Sequence, residues 1–453
     1  MIDLTTSQLS AALGALRSHE PADATAVRPA RAVIDSRECG PGDLFFGLRG
    51  EVHDGGLFAP EVLARGAWGA VVAPGHFAAA SAAAGATGRV FEVDDPLAAL
   101  AGLARGWRRE LAARVVGVTG STGKTTTKDI LAALLAKSRS VVATPANRNT
   151  EIGLPLTILG ALRGTDALVL EMAMRGRGQI AELARIAEPD VGCIVNVGPV
   201  HLELLGSVEN VAAAKAELIA GLGAGATAVM PADEPLLEAH FRDDLHTLTF
   251  GSGGDVRLAD EDPAGALRIV TPDAEVVIRP SFKERYLTRN LLAAVACAHA
   301  LGAPVEGELE VNFSALRGEV LEVLGGVTLI NDCYNANPVS MRAALDNLAE
   351  ATGRRIAVLG GMGELGVDSR RFHHEVARHA AESGVDLLVA VGELGGAYAD
   401  DYPGSIEHVA TPEDAAELVR RVAGPGDTTL VKGSRSVGLE RVGEILVAVE
   451  GEA

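Results

Sequence analysis

From Arg114 onward, short runs of consecutive apolar residues alternate with stretches whose apolar positions recur every three or four residues. The runs predict strands at Val115–Val118, Ala167–Leu170 and Val191–Val195, and the amphipathic stretches predict helices at Thr125–Lys137 and Gly178–Ile186. Alternation of this kind implies a mostly parallel sheet covered on both faces. A weaker, glycine-punctuated strand region follows from Ala226 to Pro280, then an apolar helix at Thr288–Leu301. Near Asn312 the rhythm restarts. Strands are expected at Thr328–Asn331, Arg355–Leu359, Leu387–Val391 and Thr428–Val431, with helices at Ser340–Ala351 and Phe372–Ser383.

Before Arg114 the pattern is smaller in scale: an N-terminal helix, a strand around Arg31–Asp35, a turn at Gly40–Asp43, a strand at Leu44–Gly47 and a helix at Pro96–Leu111. The chain of 453 residues fits about three domains at roughly 150 residues each. The expected division is residues 1–95, a small α/β unit; 96–311, a central unit of P-loop type; and 312–453, a C-terminal Rossmann-like α/β unit. Ligands of such folds lie outside the carboxyl ends of the strands, often between domains, so the fold class predicts a cleft-forming enzyme.

Charge narrows the possibilities. With 40 Lys and Arg against 60 Asp and Glu the formal charge is −20, which argues against a nucleic-acid partner, so any phosphate must sit in a local pocket. The opening MIDLTTSQLSAALGALRS has neither a basic start nor a sustained apolar run, and Leu291–Ala303 is too short for a bilayer. A cytoplasmic protein with no membrane insertion is expected. Cys39, Cys193, Cys297 and Cys333 are too scattered for a zinc site or a disulfide framework.

The strongest local chemistry lies where the strand Val115–Val118 runs into Thr119-Gly120-Ser121-Thr122-Gly123-Lys124-Thr125-Thr126-Thr127. Glycines let several backbone N–H groups converge on one point, and a helix N-terminus favours an anion. Lys124 is placed to reach the β/γ-phosphates, and the Thr125 hydroxyl to ligate Mg²⁺. The usual spacing has a glycine where this chain has Val118, which indicates a shorter variant of the loop. The next strands end in Glu171 and, a few residues on, His201. Parallel strands share one edge, so both groups can converge on the metal, although Mg²⁺ prefers the carboxylate. Asn147 and Asn149, in Thr144–Pro155, are either turn residues or holders of a second substrate.

Taken in order, TGSTGKTTTK, ANRNTEIGLPLTIL, LEM, NVGPVHLELLGSVENVAAAKAEL, INDCYNANPVSM and LVKGSRS resemble the Mur ligases, ATP-dependent enzymes that add amino acids to the nucleotide precursor of peptidoglycan. The segment from Asn331 to Pro338 is similar to the MurF branch, which joins D-alanyl-D-alanine to a UDP-N-acetylmuramoyl-tripeptide. The resemblance implies that Lys124 and Thr125 bind phosphate and Mg²⁺, that Glu171 and His201 complete the metal environment, and that Lys215 is carbamylated by CO₂. It further implies that Asn290 contacts adenine, and that Arg317 and Asp332 reach the adenosine from the C-terminal domain. Tyr286-Leu287 replaces the family's His-Asn at the start of the Asn290 motif, Ala146 and Ala173 stand where many members have glycine, and Thr150 where many have asparagine.

In the first domain, Asp35-Ser36-Arg37, Gly42–Phe45 and Asp54-Gly55 resemble the UDP-sugar end of the substrate site; on their own they read as a strand end and two turns. In the third, Tyr334, Asn335 and Asn337 are candidates for positioning substrate peptide, with Lys432, Ser434 and Arg435 as anion partners. One motif points elsewhere. Gly361-Met362-Gly363-Glu364-Leu365-Gly366 after a strand, with Asp386 further on, fits a dinucleotide fingerprint but also a loop of the ligase. The expected reaction is amide formation through an acyl phosphate in a monomer that closes on its substrates. The alternatives are another Mur-type or folylpolyglutamate-type ligase, or a nucleotide-dependent regulatory protein without ligation.

Overall fold

A computed structural model of the protein describes residues 2–21, 28–85, 87–323, 325–400 and 402–448. It is a mixed α/β, three-domain fold with four sheets among the described residues. The first, five-stranded, has Gly69–Val72 paired in parallel to both Leu44–Phe46 and Arg89–Glu92, with Arg17–His19 antiparallel at one edge. The expected strand Arg31–Asp35 shortens to Ala32–Val33, because Asp35 is drawn into a side-chain pair with Arg37.

The helix Pro96–Glu110 starts on an Asp95 cap with Pro96 at its first position. Its apolar stripe joins residues of the first sheet and of the second in one continuous core. Trp107 sits at full depth there and donates its indole N–H to Ala161 O at 3.0 Å, which satisfies the one polar atom of that ring.

The second sheet is the expected parallel one, with strands in the order His246–Phe250, Thr227–Pro231, Val191–Ile194, Arg114–Thr119, Ala167–Glu171, Val141–Ala143. Helices Lys124–Ala136 and Leu287–Ala300 pack together on one face around a second apolar core. The weakly patterned region Ala226–Pro280 divides: its first two strands extend the parallel sheet, and the rest, with Gly307–Leu309, form a separate four-stranded sheet. The edge strand Val141–Ala143 and the helix Gly153–Gly160 escape the periodic pattern; the first is too short and the second is buried almost all round.

The last sheet has the order Glu319–Val323, Val327–Asn331, Thr428–Lys432, Arg355–Gly360, Leu387–Val391, Ser405–Val409, parallel except for its first strand. Helix Pro338–Ala349 begins two residues earlier than its apolar spacing predicts, because Asn337 and Ser340 form a capping box ahead of Pro338. No helix among the described residues is long and apolar enough to cross a membrane. The carboxyl ends of the central strands face the C-terminal domain, and there the two enclose a cleft of about 630 Å³, within the size range of ligand sites.

Candidate active site

The strand Arg114–Thr119 is buried from Val115 on, and Val118 pairs in register with Glu171. Val118 therefore lies within the ladder, and the loop begins only at Gly120. This is the physical form of the shorter motif. Gly123 caps helix Lys124–Ala136 in a left-handed conformation (φ 76°), and a Cβ there would lie 2.2 Å from Asn290 Nδ2. No other residue type satisfies both constraints. Asn196 braces the loop from the next strand, accepting from Ser121 N through its carbonyl (3.1 Å) and from Thr122 N through Oδ1 (3.0 Å). Lys124 curls back to donate to Gly120 O at 2.8 Å, and burial pushes its ammonium below the usual lysine range, an effect the Glu171 carboxylate opposes.

Glu171, 1% exposed, ends its strand with its backbone N–H donating to Thr144 Oγ1 (2.9 Å). Its two oxygens accept from Thr125 Oγ1 and Asn149 Nδ2, each at 2.8 Å. Carboxylate oxygens held in place by neutral donors are the hard ligands that a hard cation takes. The chemistry of the Thr125–Glu171 pair fits Mg²⁺, which takes few protein ligands and keeps phosphate oxygens and waters for the rest.

Lys215 is 2% exposed in helix Val208–Ala220, and its Nζ has no hydrogen bond or ion pair among the described residues. Burial, reinforced by the Lys124 charge, holds its pKa well below the lysine norm. His201, in a left-handed conformation (φ 53°), shares a hydrogen bond between Nδ1 and Glu364 Oε2 at 2.5 Å. Burial lowers its pKa, against the raising effect of Glu364, and the Lys124 and Lys215 charges lower it further. Glu364 belongs to the C-terminal domain and was not among the sequence candidates; its place inside the glycine motif is the one signal that pointed there.

Asn290, expected at adenine, lines the cleft and directs its amide nitrogen to the loop. It is 8% exposed, and Nδ2 donates to Gly123 O (2.9 Å) and Thr127 Oγ1 (3.0 Å). Ala146, the stand-in for glycine, adopts a left-handed φ of 48°, and the other stand-in, Ala173, donates its N–H to Asn149 O.

From the C-terminal side, Arg317 donates to Thr125 Oγ1 at 3.1 Å while its guanidinium stacks 3.9 Å over the Tyr334 ring. Asp332 Oδ2 accepts from buried Lys432 at 2.6 Å. Gly120–Thr126, Asn147, Asn149, Glu171, His201, Lys215, Asn290, Arg317, Asp332, Tyr334, Asn335, Asn337, Lys432 and Arg435 thus line the one cleft. Asn337 caps its helix, however, and Asn335 Oδ1 accepts from Ala336 N, so both side chains have local duties.

Asp35, Ser36 and Arg37 are not in that lining. They sit on the first domain, where the exposed Arg37 holds the Asp35 carboxyl down to about 2. Ser434, outside the lining too, accepts from Gly363 N at 2.8 Å. Together with the Met362 N–H donated to His373 Nε2, this occupies the very donors a pyrophosphate would need. A Cβ on Gly361 would lie 2.4 Å from Leu394, and Asp386 caps the opposite end of the strands through Arg355 N. The glycine motif is a packing loop, and the dinucleotide reading falls.

Three family signatures match the chain: "Mur ligase family, catalytic domain" over residues 32–108, "Mur ligase middle domain" over 118–298 and "Mur ligase, glutamate ligase domain" over 316–435. A curated relative from Mycobacterium tuberculosis, a UDP-N-acetylmuramoyl-tripeptide--D-alanyl-D-alanine ligase, is 37% identical, with 99% of this chain and 98% of the relative covered. Among solved structures, MurF from Acinetobacter baumannii superposes with a TM-score of 0.85 at 28% identity, over 98% of both chains. MurF ligase from Thermotoga maritima in complex with ADP gives 0.82 at 33%, over 94% of this chain and 99% of that one.

Proposed function

The chain belongs to the Mur ligase family, and on that footing we propose that it joins D-alanyl-D-alanine to a UDP-N-acetylmuramoyl-tripeptide, converting ATP to ADP and phosphate, in the building of peptidoglycan precursors. The observation that carries the reading is the meeting in one cleft of a phosphate loop, a buried carboxylate and two lysines with depressed pKa values, roofed by Arg317 and Tyr334 from the neighbouring domain.

A free carboxylate is a poor electrophile because oxide would have to leave. Transfer of the γ-phosphoryl converts it to an acyl phosphate, the amine of D-alanyl-D-alanine adds to that carbonyl, and phosphate departs. Phosphoryl transfer asks for positioning and charge stabilisation more than covalent chemistry. Lys124 swings from Gly120 O to the phosphates, the first-turn N–H groups of its helix have no intrahelical acceptor and point at them, and Arg317 closes over Thr125. Thr125 and Glu171 would hold Mg²⁺, which would supply neutralisation of phosphate charge.

The free-base amine that reacts with CO₂ is the form burial favours at Lys215, which supports carbamylation; the product is an anion within electrostatic reach of Lys124 and His201, with one proton released. His201, its Nδ1 tied to Glu364, keeps Nε2 as an acceptor for the proton shed by the attacking amine. Charged nucleotide-linked substrates support a cytoplasmic setting.

The test is ADP release measured with each substrate withheld in turn, together with ¹⁸O exchange from the tripeptide carboxylate into phosphate. Release that needs neither tripeptide nor dipeptide, or no ¹⁸O in phosphate, overturns the reading.

A further inference from the structure

Two charged residues of the TTTKD segment at residues 125–129 take no part in the chemistry above. Lys128 and Asp129 lie one turn below the phosphate loop with side chains only 4% and 10% exposed, Nζ 2.6 Å from Oδ1. Neighbours in sequence do not face each other on a helix, so this pairing requires Lys128 to bend round, and something must hold each end. Lys128 Nζ also donates to Thr144 O at 3.0 Å, and Thr144 is the residue whose hydroxyl seats the Glu171 backbone. Asp129 Oδ2 accepts the backbone N–H of Ser314 at 2.9 Å, across 185 residues of chain.

Spacing gives this contact its meaning. Thr125 and Asp129 are four apart, hence stacked on one face of the helix about 6 Å apart along its axis. Ser314 and Arg317, three apart at the entry to the C-terminal domain, meet that face at the same two levels: Ser314 N on Asp129, Arg317 on Thr125. Between them Leu316 is left-handed (φ 62°), a conformation unfavourable for a residue with a Cβ and kept only where both flanks are pinned.

We propose that Asp129, held by Lys128, is a positioning residue for the ligation: it seats the start of the interdomain linker at Ser314 so that Arg317 is delivered to Thr125 beside the nucleotide phosphates. The inference rests on the cleft being the ATP site, and it makes domain closure depend on a buried ion pair that touches no substrate.

The experiment uses the full chain. Asp129→Ala removes the acceptor, and Ser314→Pro removes only the donor, leaving the Lys128–Asp129 pair whole. Asp129→Ala is expected to melt lower, because Lys128 loses its buried partner, and Ser314→Pro to melt nearer wild type; both bind ADP within about threefold of wild type, while kcat for ADP release with both substrates drops about ten- to hundredfold, the range for loss of a hydrogen bond to a charged group. Asp129→Asn, which keeps an acceptor, recovers part of the rate, and Ser314→Ala, which keeps the N–H, recovers all of it.

A double variant settles the route. If Asp129 acts through Arg317, then Asp129→Ala with Arg317→Ala is no slower than Arg317→Ala alone. Multiplying effects, or wild-type kcat in both Asp129→Ala and Ser314→Pro, overturn the proposal. Wild-type protein that shows no substrate-dependent ADP release overturns the ligase reading instead, so the two failures are distinguishable.

Discussion

Replacing Asn290 by alanine separates two roles that sequence and structure assign to one amide. The structure gives Asn290 Nδ2 two acceptors, Gly123 O at 2.9 Å and Thr127 Oγ1 at 3.0 Å, both at the start of the phosphate-loop helix. A typical intramolecular hydrogen bond contributes about 0.5–1.5 kcal/mol net, so losing two costs about 1–3 kcal/mol. At about 2–4 °C per kcal/mol for a unit of 150–250 residues, the nucleotide-free chain melts roughly 2–12 °C lower. The loop must then be ordered by the ligand, and affinity falls about tenfold for each 1.4 kcal/mol so diverted. Because the brace acts on phosphate-binding backbone, ADP, GDP and pyrophosphate all weaken by the same factor. The assay is a thermal melt without ligand followed by titration with the three ligands. A variant that melts with wild type and loses ADP while keeping GDP and pyrophosphate refutes the brace and returns Asn290 to the base.

Lys215→Met abolishes turnover yet raises the melting temperature at pH 7 in CO₂-free buffer. A lysine with a depressed folded pKa leaves the unfolded chain binding more protons from that lowered value up to about 10.4, so wild-type stability climbs with pH across this window and the gap to the variant closes. A variant that melts lower at pH 7 shows that Nζ has a stabilising partner after all. Glu364→Gln removes the group that raises the His201 pKa, so the acid limb of the rate profile moves to lower pH and kcat falls with the loss of ring orientation; an unmoved limb assigns that limb to another group. Arg37→Ala, at a residue whose side chain is 88% exposed, leaves the melt unchanged and raises KM for the muramoyl nucleotide severalfold with KM for ATP constant. Equal changes in both KM values place Arg37 outside the sugar-nucleotide site.

Elements with a strong period were legible along the chain. The strands Arg114–Thr119 and Leu387–Val391 are buried on both faces and show as continuous apolar runs, and the helix Lys124–Ala136 buries a face that recurs at its own spacing, so neighbours in sequence reveal each of them. Strands of three or four residues such as Gly69–Val72 and Val141–Ala143 carry too few positions to show a period, and they exist because the sheet beside them offers a ladder to complete. The glycine motif after Arg355–Gly360 read two ways for a related reason: its spacing is local, whereas the Ser434 and His373 acceptors that claim its N–H groups come from elsewhere in the fold.

At the site, consecutive residues were enough to specify a loop that turns backbone N–H groups toward an anion, with a lysine and a hydroxyl at fixed offsets, since those relations span less than two helical turns. Partners were another matter. That Asn290 braces Gly123, that Glu364 reaches His201 from the neighbouring domain and that Asp129 holds Ser314 are contacts across 163 to 185 positions. Burial strips water from each of these groups and obliges it to take whichever complementary atom the packed domains bring near, a choice made by the fold as a whole.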